Sequence, residues 1–335
     1  MLFFVCGVPG RFTRWCDALA AALVGRALGP SELLRAETLE ALAMRTLADG
    51  AAHGIVAARQ PGGGLRTALR DSGRNFVFVL DDLRPALLDL VLGDGLSLPA
   101  AIQAMASSCG ALMDVQGTPA ALALHRGAAG EREIADAIAR HFGLEIAADA
   151  VAAILREIGP AAAADPSRDP AQWWDGLEPA ARETVLGALG AYHHYGEGDL
   201  PAIAWTGALF FAGDRPGERL AGPVDITGRA RCLLEGPHIA LPSGAWSLSL
   251  HLLLSRGATE HEFAVEVHAD NLLAAGTIRS QGADRAELAL DFALDPAAER
   301  PVAIRISSLR AAFDGAIALD RAVLARAPAA TSSTM

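Results

Sequence analysis

The residues best suited to chemistry lie at the start of the chain, in Gly7-Val8-Pro9-Gly10-Arg11-Phe12-Thr13-Arg14-Trp15. An apolar run, Leu2 to Cys6, enters this Gly/Pro turn, and a long Ala/Leu-rich helical pattern follows at once. A strand–turn–helix corner of this kind aims successive backbone N–H groups and the positive end of a helix dipole at one spot, where a phosphate or sulfate group can sit. Arg11 and Arg14 add guanidinium charge, and Thr13 adds a hydroxyl donor. The G-x-x-x-x-G-K-[ST] pattern of the nucleotide P-loop is absent, and all 28 basic residues are arginine. A plain structural corner is written with the same residue types, so both readings stay open.

Other groupings are less specific. Pro61-Gly62-Gly63-Gly64-Leu65-Arg66 precedes a helix with Arg59 nearby, and reads equally as an anion cradle or a flexible connection. Asp81-Asp82 ends an apolar run, where a carboxylate pair suits either Mg²⁺ or, preferably, a helix N-cap. His53 precedes a strand, as a candidate base or a merely solvated side chain. His193-His194 stands near Glu197 and Asp199, but adjacent side chains diverge and do not readily chelate one ion. Cys6, Cys16, Cys109 and Cys232 lack C-x-x-C spacing, so reduced core thiols are expected rather than a metal site or disulfides. G-x-S-x-G is missing, and no Ser-His-Asp set can be assembled.

The elements that must position these residues follow from periodicity. Strands are predicted at Leu2–Cys6, Gly54–Ala58, Asn75–Leu80 and Ala121–His125. Helices are predicted near 12–28, 31–49, 65–72, 84–92, 98–113, 131–142 and 147–158, with Ser31 as an N-cap and Gly29 and Gly50 as stops. This alternation predicts an α/β domain, a parallel sheet with helices on both faces. Ligands in such sheets bind beyond the carboxyl ends of the strands, which brings segments 7–14, 59–66 and 81–84 to one crevice.

A Pro/Ala/Asp-rich stretch from Gly159 to Pro170 reads as a linker, and Trp173-Trp174 and a helix from Glu178 to Ala191 come next. Beyond about residue 201 the period becomes two. Trp246, Leu248, Leu250, Leu252 and Leu254 share one parity, as do Phe263, Val265 and Val267, then Leu288, Leu290 and Phe292, then Val302, Ile304 and Ile306, and Ile317 to Leu324 is a last strand. About eight such strands predict a β-sandwich of jelly-roll-like form. The expected domains are 1–196 and 201–327, with a flexible tail at 328–335.

The net charge of −11 argues against general nucleic-acid or anionic-membrane binding. No apolar run approaches the roughly 18 residues of a membrane span, and the first residues lack the form of a secretory signal. A cytoplasmic protein is expected.

In order and shape, residues 1–196 resemble a PAPS-dependent sulfotransferase, a P-loop-like α/β family. Pro9-Gly10-Arg11-Phe12-Thr13-Arg14-Trp15 stands where that family's P-x-S-G-T-x-x-L/W loop holds the 5′ phosphosulfate. Ala57-Ala58-Arg59-Gln60-Pro61 stands for its K/T-x-H-x-P segment, and Leu80-Asp81-Asp82-Leu83-Arg84 for the segment that grips the 3′ phosphate. The resemblance implies PAPS as donor, with Pro9, Gly10, Arg11, Thr13, Arg14, Arg59 and Arg84 binding it. It also departs from the family. Gln60 replaces a catalytic His, Asp81 replaces a phosphate-binding Arg, and Asp89 falls near the place of a phosphate-contacting Ser, for which Ser107 or Ser108 would substitute. The segments Gly222–Arg231 and Gly236–Gly244 resemble β-sandwich domains of bacterial polysaccharide-processing proteins. That implies a glycan partner, with Trp205, Arg231 and His238 as candidate contacts, against a purely structural or dimerisation role. Two functions are therefore expected: sulfate transfer from PAPS to a polysaccharide or glycolipid hydroxyl, or a non-catalytic accessory role in surface-polysaccharide assembly, binding a glycan, a partner protein or a second copy.

Overall fold

The computed structural model describes residues 1–45, 51–161, 169–194, 200–280 and 284–327. The expected stop at Gly50, most of the linker, Glu197 and Asp199, and the tail at 328–335 lie outside them. The chain divides into two compact units, Met1–Leu177 and Glu178–Met335.

The first unit runs β1 (Leu2–Gly7), α1 (Arg11–Leu28), β2 (Ser31–Arg35), α2 (Leu39–Ala43), β3 (His53–Ala58), α3 (Gly63–Asp71), β4 (Phe76–Leu80) and α4 (Leu83–Leu88, passing into a π-helical turn at Asp89–Gly93). There follow α5 (Leu98–Met113), β5 (Ala121–His125), α6 (Glu131–His141), α7 (Ala148–Ile158) and α8 (Pro170–Asp175). The five strands form one parallel sheet in the order β2-β3-β1-β4-β5. β1 is central, with Leu2 opposite Gly54 and Gly7 opposite Val79. Its neighbours read as unbroken apolar runs because a central parallel strand is buried on both faces, and all of β4 is buried. Phe3 and Val5, with Ile55, Val77, Val79 and Leu124, pack against α1, α6 and α7. Cys6 and Phe78 point to the other face, where α5 packs on β1.

One expectation fails here. The helix predicted at 31–49 is instead the edge strand β2 followed by the short α2. Ser31 to Arg35 pair in register with His53 to Ala57, and that ladder outweighs the helical propensity of Glu32, Leu33, Leu34 and Arg35. Ser31 is accordingly no cap: its Oγ donates to Ala21 O at 2.8 Å, and Thr38 caps α2 by accepting from Ala41 N.

The second unit runs α9 (Pro179–Leu189), β6 (Ile203–Thr206), β7 (Phe211–Ala212), β8 (Val224–Asp225), β9 (Cys232–Ile239), β10 (Gly244–Leu254), β11 (Glu262–His268), β12 (Leu272–Arg279), β13 (Arg285–Leu294), β14 (Val302–Ser308) and β15 (Ala316–Arg326). α9 packs on β6 through a close approach: a Cβ on Gly187 would lie 2.7 Å from Ala204 O. The strands form two antiparallel sheets, β13-β10-β15-β6 with β8 on β15, and β12-β11-β14-β9-β7. From β6 to β15 the chain changes sheet at every step except β11–β12, which is the jelly-roll-like pattern. The alternating residues of β10, β11 and β14 are buried, as their parity requires. Trp246 is sealed in this core, its Nε1 donating to Pro242 O at 2.9 Å and Arg326 stacked 4.5 Å over its ring. Among the described residues, no helix is long and apolar enough to cross a membrane.

Candidate functional site

The loop after β1 is shaped by close contacts. A Cβ on Gly7 would meet Val79 Cβ at 2.7 Å, so only glycine lets the chain leave the sheet here. Val8 N then donates to Val79 O at 3.1 Å. Thr13 is wholly buried, and its hydroxyl donates to Val8 O at 2.6 Å, which ties the first turn of α1 back to the loop. Gly10 begins α1, and a Cβ there would sit 3.1 Å from Asp81 Oδ2.

Asp81 has a fully buried side chain paired with Arg126, Nε to Oδ1 at 2.5 Å. Burial pushes its carboxyl up to about 6, against the pull of Arg126. The group therefore favours the fold at acid pH, and that contribution is lost as pH rises from about 4 to about 6. Asp89, 3.7 Å from Arg126, accepts a hydrogen bond from Arg11 N at 3.1 Å. A carboxylate of the chain itself thus sits at the positive end of α1.

The end of β3 repeats the arrangement. The backbone N–H groups of Arg59 and Gln60 donate to the Glu37 carboxylate at 2.9 and 2.7 Å, and Gly62 N donates to Glu37 O at 2.7 Å. The Arg59 guanidinium pairs with Asp17, whose carboxyl is nearly buried. Burial raises the Asp17 pKa, and Arg59 opposes the rise.

Between these two loops lies a cavity of about 240 Å³, lined by Pro9, Gly10, Arg14, Arg35, Glu37, Ala57 and Arg59. It stands at the carboxyl ends of β1, β2 and β3, where open parallel sheets hold ligands. Arg14 pairs with Asp94 at 2.9 Å, both partners well exposed. Arg35 is exposed and makes no ion pair among the described residues. Three guanidiniums thus line the cavity with a carboxylate tied to backbone amides, and the charge of Arg35 also acts on Asp17.

Pro9, Gly10, Arg14 and Arg59 are brought together around the cavity; Arg11 and Thr13 do not line it. Arg84 stacks 4.7 Å over Trp174 and does not line the cavity. Arg35 and Glu37 lie in the segment 31–49, whose pattern predicts a helix, so the sequence does not point to them. His53 opens β3 at its amino end, with Nε2 3.1 Å from Leu28 O, so it cannot serve the carboxyl-end crevice. Gln60 donates to Ala104 O, and the buried Ser108 hydroxyl faces Arg59 O. In the second Gly-rich turn Arg66 is structural: it is buried, bonds Pro61 O at 2.9 Å and pairs with Asp114 at 3.3 Å. Asp82 occupies the N-cap position of α4 without a side-chain capping bond.

The glycan candidates are Trp205 in β6, Arg231 just before β9 and His238 in β9. Trp205 is wholly buried in β6 and presents no ring face to a sugar, which removes it as a platform. Arg231 donates to Thr227 O and Asp225 O at 2.9 and 2.7 Å, so its guanidinium secures a loop. His238 has φ 60, its ring 6.0 Å from Phe211 and its Nε2 3.9 Å from Glu235.

No family model and no curated protein matches this sequence. Among solved structures, a mouse sulfotransferase complexed with PAP is similar at 8% identity and TM-score 0.42, over 58% of this chain and 84% of that one. A family 61 carbohydrate-binding module in complex with β-1,4-galactotriose is similar at 13% identity and TM-score 0.25, over 38% of this chain and 89% of that one. A family 35 carbohydrate-binding module from Clostridium thermocellum gives 14%, 0.22, 38% and 92%. Likenesses this faint carry no functional argument, and the fold rests on the sheets described above.

Proposed function

We propose that the first unit binds the anionic end of a phosphosulfate nucleotide of the PAPS type, and that the protein is sulfotransferase-like and acts on a glycan hydroxyl. The convergence of Arg14, Arg35 and Arg59 on one cavity beside the Pro9–Gly10 turn carries this reading. Guanidinium forks pair bidentately with phosphate and sulfate oxygens, and three of them would offset the charge that develops on the leaving phosphate. The cavity is smaller than the roughly 300–1,000 Å³ of sites that enclose a whole drug-sized ligand, so it suits the anionic end alone. Transfer would rest on positioning and charge stabilisation, since no histidine among the described residues lines the cavity.

A second reading has its own support. Glu37 and Asp89 already hold the backbone amides that an incoming phosphate would use, and both repel anions. That arrangement favours a degenerate domain serving as scaffold in a non-catalytic accessory protein.

Calorimetric titration with adenosine 3′,5′-bisphosphate separates the two. Saturable binding is expected in the native chain, weakened about 10- to 100-fold in Arg35→Ala, by the strength of charge-assisted hydrogen bonds. Arg35 and Arg14 are the right residues to change, because Arg59→Ala would strand the buried Asp17 carboxylate and confuse binding with stability. No heat at millimolar ligand would remove the donor reading and leave the accessory one.

A further inference from the structure

Phe313 is 99% exposed, in the loop between β14 and β15. Large aromatics elsewhere in this unit behave oppositely: Trp205, Trp246, Phe210 and Phe263 are fully buried. A bare aromatic at the tip of a floppy loop would mean little, but this loop is strapped down on both sides. Ala312 and Gly228 exchange two backbone hydrogen bonds, at 2.9 and 2.8 Å, and Ile226 N donates to Gly315 O at 3.0 Å. Asp314 Oδ1 accepts from Gly315 N at 2.8 Å. The loop also lies tight against the 256–258 turn. A Cβ on Gly257 would lie 2.9 Å from Asp314 Oδ2, and one on Gly315, at φ +124, would meet Ala258 N at 2.8 Å. Arg231 completes the brace, holding the carbonyls of Asp225 and Thr227 beside Gly228.

An aromatic left in water on a braced backbone is a partly preorganised contact: the ordering cost of the loop is met on folding, and only the ring's own rotamer freedom is lost on binding. Its surroundings say what it contacts. The adjoining chain is mostly polar apart from the half-exposed Leu309, with exposed Arg229, Arg256 and Arg310 each within a few residues of these strapped positions and Arg310 4.0 Å from Glu262. Against them stand Asp225 and Asp314. One ring amid charged side chains is too small for a stable protein interface, which needs about 800 Å² per partner. It matches the apolar face of one sugar ring, while the arginines match sulfate or carboxylate substituents. We infer that Phe313 is the stacking platform of a saccharide site at this end of the second unit, and that the saccharide is acidic, sulfated or uronic. This rests on the glycan-related reading above and gives it a place in the molecule.

Affinity electrophoresis of the full chain through gels containing dextran sulfate or neutral dextran tests it. The native protein is expected to be retarded by dextran sulfate and less by dextran. Phe313→Ala is expected to weaken both by roughly tenfold, and Phe313→Trp to restore them, with unchanged melting because the side chain packs on nothing. Equal retardation of Phe313→Ala and native protein would overturn the inference, leaving the arginines as a simple ion exchanger. So would the absence of retardation by either polymer, or a change in Phe313→Ala confined to oligomeric state. Nucleotide titration of the same samples keeps the two proposals apart: its failure with Phe313-dependent retardation intact would remove the donor reading alone.

Discussion

Trp205→Ala is expected to destabilise the second unit by about 3–5 kcal/mol, the usual cost of emptying a large buried aromatic site. Trp205 stands in the four-residue β6, opposite Ala322 of β15, and is wholly buried. Its Nε1 has no hydrogen-bond partner among the described residues. Burying that donor unpaired costs about 1–3 kcal/mol, so Trp205→Phe, which keeps most of the ring and removes the donor, is expected to cost far less than Trp205→Ala. Urea unfolding of the two variants checks this. A Trp205→Ala protein that melts like the native one but no longer binds polysaccharide would contradict it, and would return Trp205 to the role its sequence context suggested.

The second large effect is Arg126→Ala, expected to cost about 3–5 kcal/mol at neutral pH. Removing one partner of a buried pair strands the other charge, and the Asp81 side chain is fully buried. The deficit should depend on pH. Asp81 already titrates near 6, and without Arg126 its carboxyl moves higher still. At pH 5 it is largely neutral in both proteins, so the deficit is expected to shrink from pH 7.5 to pH 5. Thermal melts of both proteins across that range measure it. A constant deficit would show that Arg126 acts through packing, for instance its contact 5.6 Å over the Phe12 ring, rather than through Asp81.

Much of the fold was legible because burial writes itself into the sequence. β1, β3 and β4 have a strand on each side and appear as short apolar runs, and the edge strand β5 shows in its apolar Ala121-Leu122-Ala123-Leu124. The sandwich strands show period two because one face of each meets the core. β2 was lost because Ser31-Glu32-Leu33-Leu34-Arg35 is an edge strand with polar ends, and the helical residues of α2 follow closely. That one error hid Arg35 and Glu37, two of the lining residues of the cavity. The loop residues were legible as a group but not individually. Successive helical residues turn by about 100°, so Arg14 faces the cavity while Thr13 turns back onto Val8. Trp205 and Phe313 mark a further limit. A four-residue strand is too short to reveal its parity, and no pattern in Leu309-Arg310-Ala311-Ala312-Phe313-Asp314 distinguishes a buried ring from a fully exposed one.

The most direct measurement is a crystal structure of the protein with adenosine 3′,5′-bisphosphate. A phosphate is expected within hydrogen-bonding distance of the Arg14 and Arg35 guanidiniums, beside the Pro9–Gly10 turn, with the Glu37 carboxylate drawn off the amides of Arg59 and Gln60. Nucleotide bound elsewhere, or a cavity empty at millimolar ligand with Glu37 still on those amides, would contradict it.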